Sequence, residues 1–439
     1  MLNIKSLEKN DKETTNALSK VFKSKVYANL QLDLKHSLYQ HKAIWLVGNG
    51  KLGRLAMQVE ANWKKFWLNL INIIPDRKDE FLANCKVLNS ISIGGDLTLI
   101  NTTIDFKDLY MISNRQIEAT INDGDICIIY GDDGTSRAIN QSAITASKMG
   151  ASVYYLYNMP KEAMNMAIDI MNNKRIAKIG LGSEALSVSS LKEMIFSYAS
   201  LEQVSNAWLE ENLIDQEYKV TSDKGYVATC LNDYVKSINI ISKSLVKDKN
   251  IKSLERLNIL LNEENVAFVN HTYIFDIISA LVNNDIVPLK KRLEKADVSP
   301  KHLAFDALYP TSVAWQHVFR RSIRGLDEAK NTYKMLGMNN PKITSYHSSE
   351  LNEHLIGYEY DLERFKYNLV FIDVNEEYEN DELDYFNENN ALYKDSLILR
   401  IGRLSRSKLG SSELSISVKL PKTCLDFYTH LLICLLFNK

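Results

Sequence analysis

Residues 43–47 read Ala-Ile-Trp-Leu-Val, five apolar residues in a row, and run straight into Gly48-Asn49-Gly50-Lys51-Leu52-Gly53-Arg54. Behind this turn Leu55, Val59 and Trp63 recur four apart. A wholly apolar strand is one covered on both faces, and four-residue spacing lines one side of a helix. Strand, glycine-rich turn and helix in that order point to an α/β chain with a parallel sheet. The unit recurs. Residues 125–130 (DICIIY) read as a strand, 131–137 as a turn, and 138–149 as a helix closing on Gly150, a residue suited to ending helices. Further strands are expected at 153–157 and 176–179, with a helical segment at 161–172 between them.

The pattern divides the chain of 439 residues. Leu18, Phe22, Val26, Leu30, Leu34 and Leu38 recur four apart, so residues 1–40 read as a helical N-terminal extension. Residues 41–215 form a first α/β unit. From 184 to 262 no strand is expected; 191–213 and 226–245 carry helical spacing, and 216–262 reads as a connector. A second α/β unit spans 263–439, with strands expected at 265–270, 342–346, 368–374, 396–401 and 414–418 and helices at 273–282 and 312–321. The acidic run 376–390 reads as an exposed loop or short helix. The fold class is therefore α/β, with two tandem doubly wound parallel sheets.

Composition removes several classes. Lys and Arg total 53 against 54 Asp and Glu, a net charge of −1, which excludes a generally basic nucleic-acid binder. The 22 tyrosines, without a basic groove, do not indicate base stacking. Five scattered cysteines with no C-x-x-C pair argue for reduced thiols and a cytoplasmic setting. No apolar run follows a basic start, so no secretory leader is expected. The most apolar segment, 427–437, is too short to span a membrane and reads as a buried helix. The eight histidines lack zinc-type spacing.

Three turns can carry chemistry. Gly48-x-Gly50-x-x-Gly53 meets the dinucleotide fingerprint formally, but the acid expected near position 73 is missing from 69–75 (NLINIIP). No cofactor is expected, and packing of helix on sheet is the alternative reading of these glycines. The second turn places Thr135 and Ser136 at a helix start, where hydroxyls cap or bind phosphate; Asp132 and Asp133 beside them fit capping and ligand contact equally. In the third, Gly182-Ser183-Glu184-Ala185-Leu186-Ser187-Val188-Ser189-Ser190 precedes a helix at Leu191, with Ser189 and Ser190 where a phosphate would sit. His347 and the basic run 403–408 follow expected strands and read as loop residues, and Asp373, near the end of its strand, is read with the same caution.

Taken together, the three turns resemble the sugar isomerase (SIS) domain, in the group containing N-acetylmuramic acid 6-phosphate etherase and the glucokinase regulatory protein. The family's first turn, G-x-G-T-S-G-R-L, is matched by Gly48-Asn49-Gly50-Lys51-Leu52-Gly53-Arg54-Leu55. Its third, G-P-E-x-x-x-G-S-[TS], is matched by Gly182-Ser183-Glu184 and Ser189-Ser190, with Val188 in place of glycine. The likeness is strongest over 41–215, and Leu308-Tyr309-Pro310 through Trp315 to Arg324-Gly325-Leu326 resembles the regulatory protein, which carries two such domains. The resemblance implies binding of a phosphosugar or related carbohydrate through Asn49, Gly50, Lys51, Asp133, Thr135, Ser136, Glu184, Ser189 and Ser190. It also implies a homodimer or an internal pseudo-dimer, and a sugar-kinase-like protein partner. The etherases use two glutamates as acid and base. Here the first position falls at Asn62, with Glu60 about 200° around the helix from it only two residues away, and the second falls in 104–108, where only Asp105 and Asp108 are acidic. No catalytic residue and no metal site are assigned. A regulatory or sensing protein is the first expectation, an enzyme with altered acid and base the second, a partner-binding protein with vestigial sites the third.

Overall fold

The computed structural model describes residues 4–96, 107–160, 164–182, 190–227, 230–245, 248–263, 265–269, 286–288, 302–305, 319–322, 324–326, 367–374, 394–402, 413–417, 421–424 and 427–428. Two helices open the chain, α1 (Ile4–Phe22) and α2 (Lys25–Gln40). Ser24 caps α2, accepting from the Tyr27 N–H at 3.2 Å. The strand β1 (Ile44–Gly48) then leads into α3 (Lys51–Ile71), and α4 (Lys78–Val87) into β2 (Leu88–Ser92). After α5 (Tyr110–Thr120) come β3 (Ile126–Tyr130), α6 (Arg137–Lys148), β4 (Ser152–Tyr157), α7 (Ile168–Asn172), β5 (Ile176–Gly180) and α8 (Leu191–Asn212). Helices α9 (Asp215–Asp223), α10 (Leu231–Leu245) and α11 (Asp248–Glu263) complete the first half.

The first sheet runs β2-β1-β3-β4-β5 with every neighbouring pair parallel. Strand order reverses at β1: the chain goes to β2 on one side and returns to β3 on the other. The C-terminal ends of β1 and β3 are thus a switch point, where open α/β sheets hold ligands. The second sheet, also parallel, runs β11 (Glu413–Ser417), β10 (Asp395–Gly402), β9 (Tyr367–Val374), β6 (Asn265–Val269), β8 (His302–Phe305), β7 (Ile286–Pro288).

Helices α3 and α8 supply much of the first core, Trp67 and Trp208 meeting edge-to-face with ring centroids 5.3 Å apart. The N-terminal helices belong to the same core. Leu30, Leu34 and Leu38 are fully buried, and Tyr154 of β4 donates to Asp33 at 2.6 Å. The two halves meet through a buried charge cluster. Arg321 Nη1 and Nη2 reach Asp96 at 2.5 and 3.1 Å, and its Nε reaches both Glu60 oxygens at 3.2 Å. The Asp96 N–H donates to the Arg324 carbonyl at 2.8 Å, and the Arg324 N–H donates to Asp96 Oδ2 at 2.7 Å. A second seam brings the Lys422 N–H onto the Gly225 carbonyl and the Phe427 ring to 4.8 Å from Tyr234 and 5.9 Å from Tyr198.

Three strands escaped the sequence reading. In β2 the buried positions include Ser90 and Ser92 alongside Leu88 and Ile91, so the apolar signature of a covered strand is broken by residues that serve hydrogen bonds. The strands β7 and β8 are only 3 and 4 residues long, too short for periodicity to show. The helix expected over 161–172 is, among the described residues, a 3-10 turn at Asn165–Ala167 followed by the five residues of α7. The strand expected at 342–346 and His347 beyond it, the helix at 273–282, the loop at 376–390 and most of the helices at 312–321 and 427–437 lie outside the described residues.

Candidate functional site

The first turn has the shape its glycines allow. A Cβ on Gly48 would lie 2.4 Å from the Leu52 carbonyl group, and Gly50 holds φ +53° as it opens α3. This close approach aims Lys51 across the switch point, where its Nζ lies 3.7 Å from Asp132 Oδ2. Asn49 and Gly50 stand at the same strand end, their carbonyls accepting from the first turn of α3.

The second turn satisfies itself. Gly131 passes under the Tyr155 ring so closely that a Cβ would overlap it, at 2.1 Å. Asp133 Oδ1 accepts from the Thr135 N–H at 2.9 Å and the Thr135 hydroxyl at 2.7 Å. Burial pushes the Asp133 carboxyl up, but these two bonds, with Lys107 and Lys51, outweigh it and hold the group below the usual carboxylate range. Ser136 caps α6 by accepting from the Ile139 N–H at 3.4 Å and donates to the Lys107 carbonyl at 3.3 Å. Both hydroxyls at this helix start are therefore already donating to protein acceptors, which is the capping arrangement.

Ser190, at the end of the third turn, does the opposite. Ser190 caps α8 in the left-handed region, at φ 66°, and makes no side-chain capping bond. Its Oγ is buried with no hydrogen-bond partner among the described residues. Ser189 and Glu184 lie outside the described residues. Lys192 is buried, and its Nζ stands 3.4 Å from where a Cβ on Gly182 would project; Ala17 of α1 lies against the same glycine at 3.2 Å.

One turn into α8, Glu193 is 1% exposed. Its Oε1 accepts a short hydrogen bond from Asn158 Nδ2, just past β4, and Asn158 Nδ2 also reaches Asp132 Oδ1 at 3.4 Å. Burial, and then the Asp132 charge, push Glu193 up to about 7. Among the described residues Glu193 Oε2, Asn158 Oδ1 and Ser190 Oγ all lack a partner, and buried polar atoms are rarely left so. Sequence reasoning missed Glu193, Asn158 and Lys192. The spacing Ser190-x-x-Glu193 carries a signal, since it is the capping-box pattern; the structure turns that glutamate inward instead.

The two positions inherited from the etherase resemblance hold no acid–base pair among the described residues. Asn62 donates to the Tyr198 hydroxyl. Glu60 takes Ser90 Oγ at 2.6 Å, Lys64 at 2.5 Å and Arg321. Burial raises its carboxyl, but Arg321, Arg324 and Lys64 overcome that and hold it down to about 2. Asp105 lies outside the described residues. No group of three or more metal-ligating side chains and no helix long and apolar enough to cross a membrane occurs among the described residues.

No protein-family model matches the sequence, and no curated protein is similar to it. Solved structures do match. A candidate phosphosugar isomerase from Clostridium difficile is 12% identical, with 98% of this chain and 91% of that one covered and a TM-score of 0.50. The C-terminal domain of glucosamine-fructose-6-phosphate aminotransferase from Francisella tularensis is 10% identical, covering 99% of this chain and 93% of that one, also at 0.50. At these identities the likeness establishes architecture: the chain has the SIS fold.

Proposed function

We propose that the chain binds a phosphosugar or related carbohydrate at the strand ends of its first sheet, in a regulatory or sensing role, as a member of the etherase and glucokinase regulatory protein group. On this reading each sheet is one SIS-like domain, bounded at 41–215 and 263–439, and the protein is cytoplasmic, homodimeric or internally pseudo-dimeric, with a sugar-kinase-like partner. The observation that carries the proposal is the trio of buried atoms with no partner among the described residues, Asn158 Oδ1, Ser190 Oγ and Glu193 Oε2, around the start of α8. A sugar supplies hydroxyls for such atoms, and the α8 N-terminus with Lys192 beside it suits a phosphate. The proteins of like fold bear on phosphosugars by name. The second turn, whose hydroxyls are engaged, would shape the site rather than grip the phosphate.

Lactyl-ether cleavage is not expected, because Asn62 is an amide and Glu60 is held ionised by three cations. A second reading, an enzyme of isomerase type, is favoured by one observation. Glu193, at about 7, can give or take a proton near neutral pH. Thermal unfolding against glucose 6-phosphate, glucosamine 6-phosphate and N-acetylmuramic acid 6-phosphate tests the binding proposal. A ligand at 100 times its Kd adds about 2.7 kcal/mol of stability; no shift with any of them at millimolar concentration removes the reading. Turnover of the ligand that binds, lost in Glu193→Gln, would promote the enzyme.

A further inference from the structure

Two arginines with buried side chains are answered by carboxylates. Arg321, its side chain 8% exposed, faces Asp96 and Glu60, and Arg400, at 1%, has Asp373 at 3.4 Å and Glu413 at 3.3 Å. Arg54 differs from both. It lies in the first turn of α3, 9% exposed, and its side chain has no hydrogen bond or ion pair among the described residues; Nε is sealed from solvent with nothing to donate to. Burial alone pulls the guanidinium down, to about 10, with no charge of the described residues acting on it. It is therefore a cation at neutral pH.

The backbone fixes where this charge sits. A Cβ on the preceding residue, Gly53, would lie 2.5 Å from Ser92 Oγ, so α3 is seated against the end of β2 and cannot roll to release Arg54 to water. Gln58, one turn further along the same stripe, donates to the Tyr198 hydroxyl of α8 at 3.3 Å. The stripe thus faces α8. Helical side chains lean toward the N-terminus of their own helix, which carries the guanidinium toward the start of α3 and the strand ends. A cation there opposes the helix dipole, which favours anions at that end. Gln58 Oε1 is also buried without a partner among the described residues, but an amide oxygen is neutral and leaves the charge of Arg54 uncompensated. A buried cation without a counter-charge costs stability; an anion arriving from solution would relieve both the burial and the dipole.

We propose that Arg54 is an oxyanion-binding residue, completed by a phosphate group, free or carried by a small molecule, that enters between the first turns of α3 and α8. The guanidinium fork matches two phosphate oxygens at once, and Gln58 Oε1 accepts from a hydroxyl beside them. The phosphate need not belong to a sugar, so this site stands apart from the sugar reading.

Thermal unfolding of the full chain in potassium phosphate and in potassium chloride at equal ionic strength tests this, with Arg54→Met beside wild type. In chloride Arg54→Met should unfold at a higher temperature than wild type, because methionine keeps most of the stem and removes the unanswered charge. Phosphate should stabilise wild type saturably and Arg54→Met only by the unsaturating increment it gives proteins in general; a structural role alone would move both salts equally. Should Arg54→Met fail to fold, Arg54→Lys, which keeps the charge and loses the fork, should bind phosphate about tenfold or more weakly by calorimetric titration. Equal phosphate stabilisation of wild type and Arg54→Met, undiminished affinity in Arg54→Lys, or no saturable phosphate binding by wild type at millimolar concentration overturns the proposal. Glucose 6-phosphate separates the sources: competition with inorganic phosphate assigns the site to the sugar's own phosphate, simultaneous binding to a free anion. Phosphate binding that depends on Arg54 with no sugar phosphate bound leaves this inference standing and removes the sugar reading; sugar-phosphate binding with no Arg54-dependent phosphate binding does the converse.

Discussion

Glu60 and Glu193 are both nearly inaccessible, at 0% and 1% exposure, and both stand on helices that follow strands of the first sheet. Yet one carboxyl is held down to about 2 and the other pushed up to about 7. Burial acts upward on both. Around Glu60 it is overcome by Arg321, Arg324 and Lys64; around Glu193 another acid, Asp132, adds to it, and a backbone hydrogen bond, the Asn158 hydrogen bond and the Lys51 charge oppose it without overcoming it. The seam cluster is a finished network, while the strand-end cluster still has acceptors to satisfy. Identical residues under identical burial thus become structural in one place and available to a ligand in the other, according to the cations the fold brings along.

The largest expected effect comes from breaking the finished side. Arg321→Ala leaves Glu60 and Asp96 short of their main cation, and stability should fall by about 3–5 kcal/mol. Denaturant unfolding checks this; a loss below about 1 kcal/mol would show that the cluster holds nothing together. The acid limb of stability should carry the same signature. Glu60's folded pKa is depressed, so its contribution is present above its ordinary range and is lost as pH falls toward 2. Glu60→Gln should remove that limb.

The second effect has the opposite sign. Glu193 has a raised pKa, so the folded state holds a proton that the unfolded chain releases. The Glu193 contribution to stability should be most favourable at low pH, decline as pH rises from the ordinary carboxylate range to about 7, and level off above. Glu193→Gln should flatten this window and stabilise the protein at pH 7.5 by roughly 3 kcal/mol. A pH–stability curve that the substitution leaves unchanged would mean that the two carboxyls do not differ.

A smaller effect is expected on binding. Ser190→Ala removes a hydroxyl with no partner among the described residues, so stability should hardly change while affinity for a hexose phosphate falls about tenfold. Unchanged affinity for every sugar would mark the site as vestigial. The smallest is Asp133→Ser. Losing the bonds to Thr135 should cost about 1 kcal/mol of stability. Removing a partly exposed negative charge should strengthen a phosphorylated ligand by roughly 0.5–1 kcal/mol, a factor of two to five, and leave a neutral sugar unimproved.

Much of the first half was legible in the sequence, because its central strands are unbroken apolar runs and its turns need glycine for close approach. Gly48 and Gly131 are such positions, each with a neighbour where a Cβ would go. The strand β2 was hidden by serines that satisfy partners elsewhere. That the first two turns stand at strand ends was legible; how their side chains pair was not. Whether Thr135 faces a ligand or Asp133 depends on a turn two residues wide. Glu193 was indistinguishable from a cap until α8 was set against β4 and Asn158. Long-range pairings such as Arg321 with Asp96 leave no local periodicity to read.

Phe427 closes over Tyr198 and Tyr234 from the far end of the described chain. During synthesis about 230 residues separate Tyr198 from its lid, an interval of roughly 10–45 s at ordinary elongation rates. Throughout that interval the first half can assemble its sheet while one aromatic wall stays uncovered. A nascent chain in this condition is a substrate for chaperones, and its commitment to the final state waits on the segment that carries Phe427.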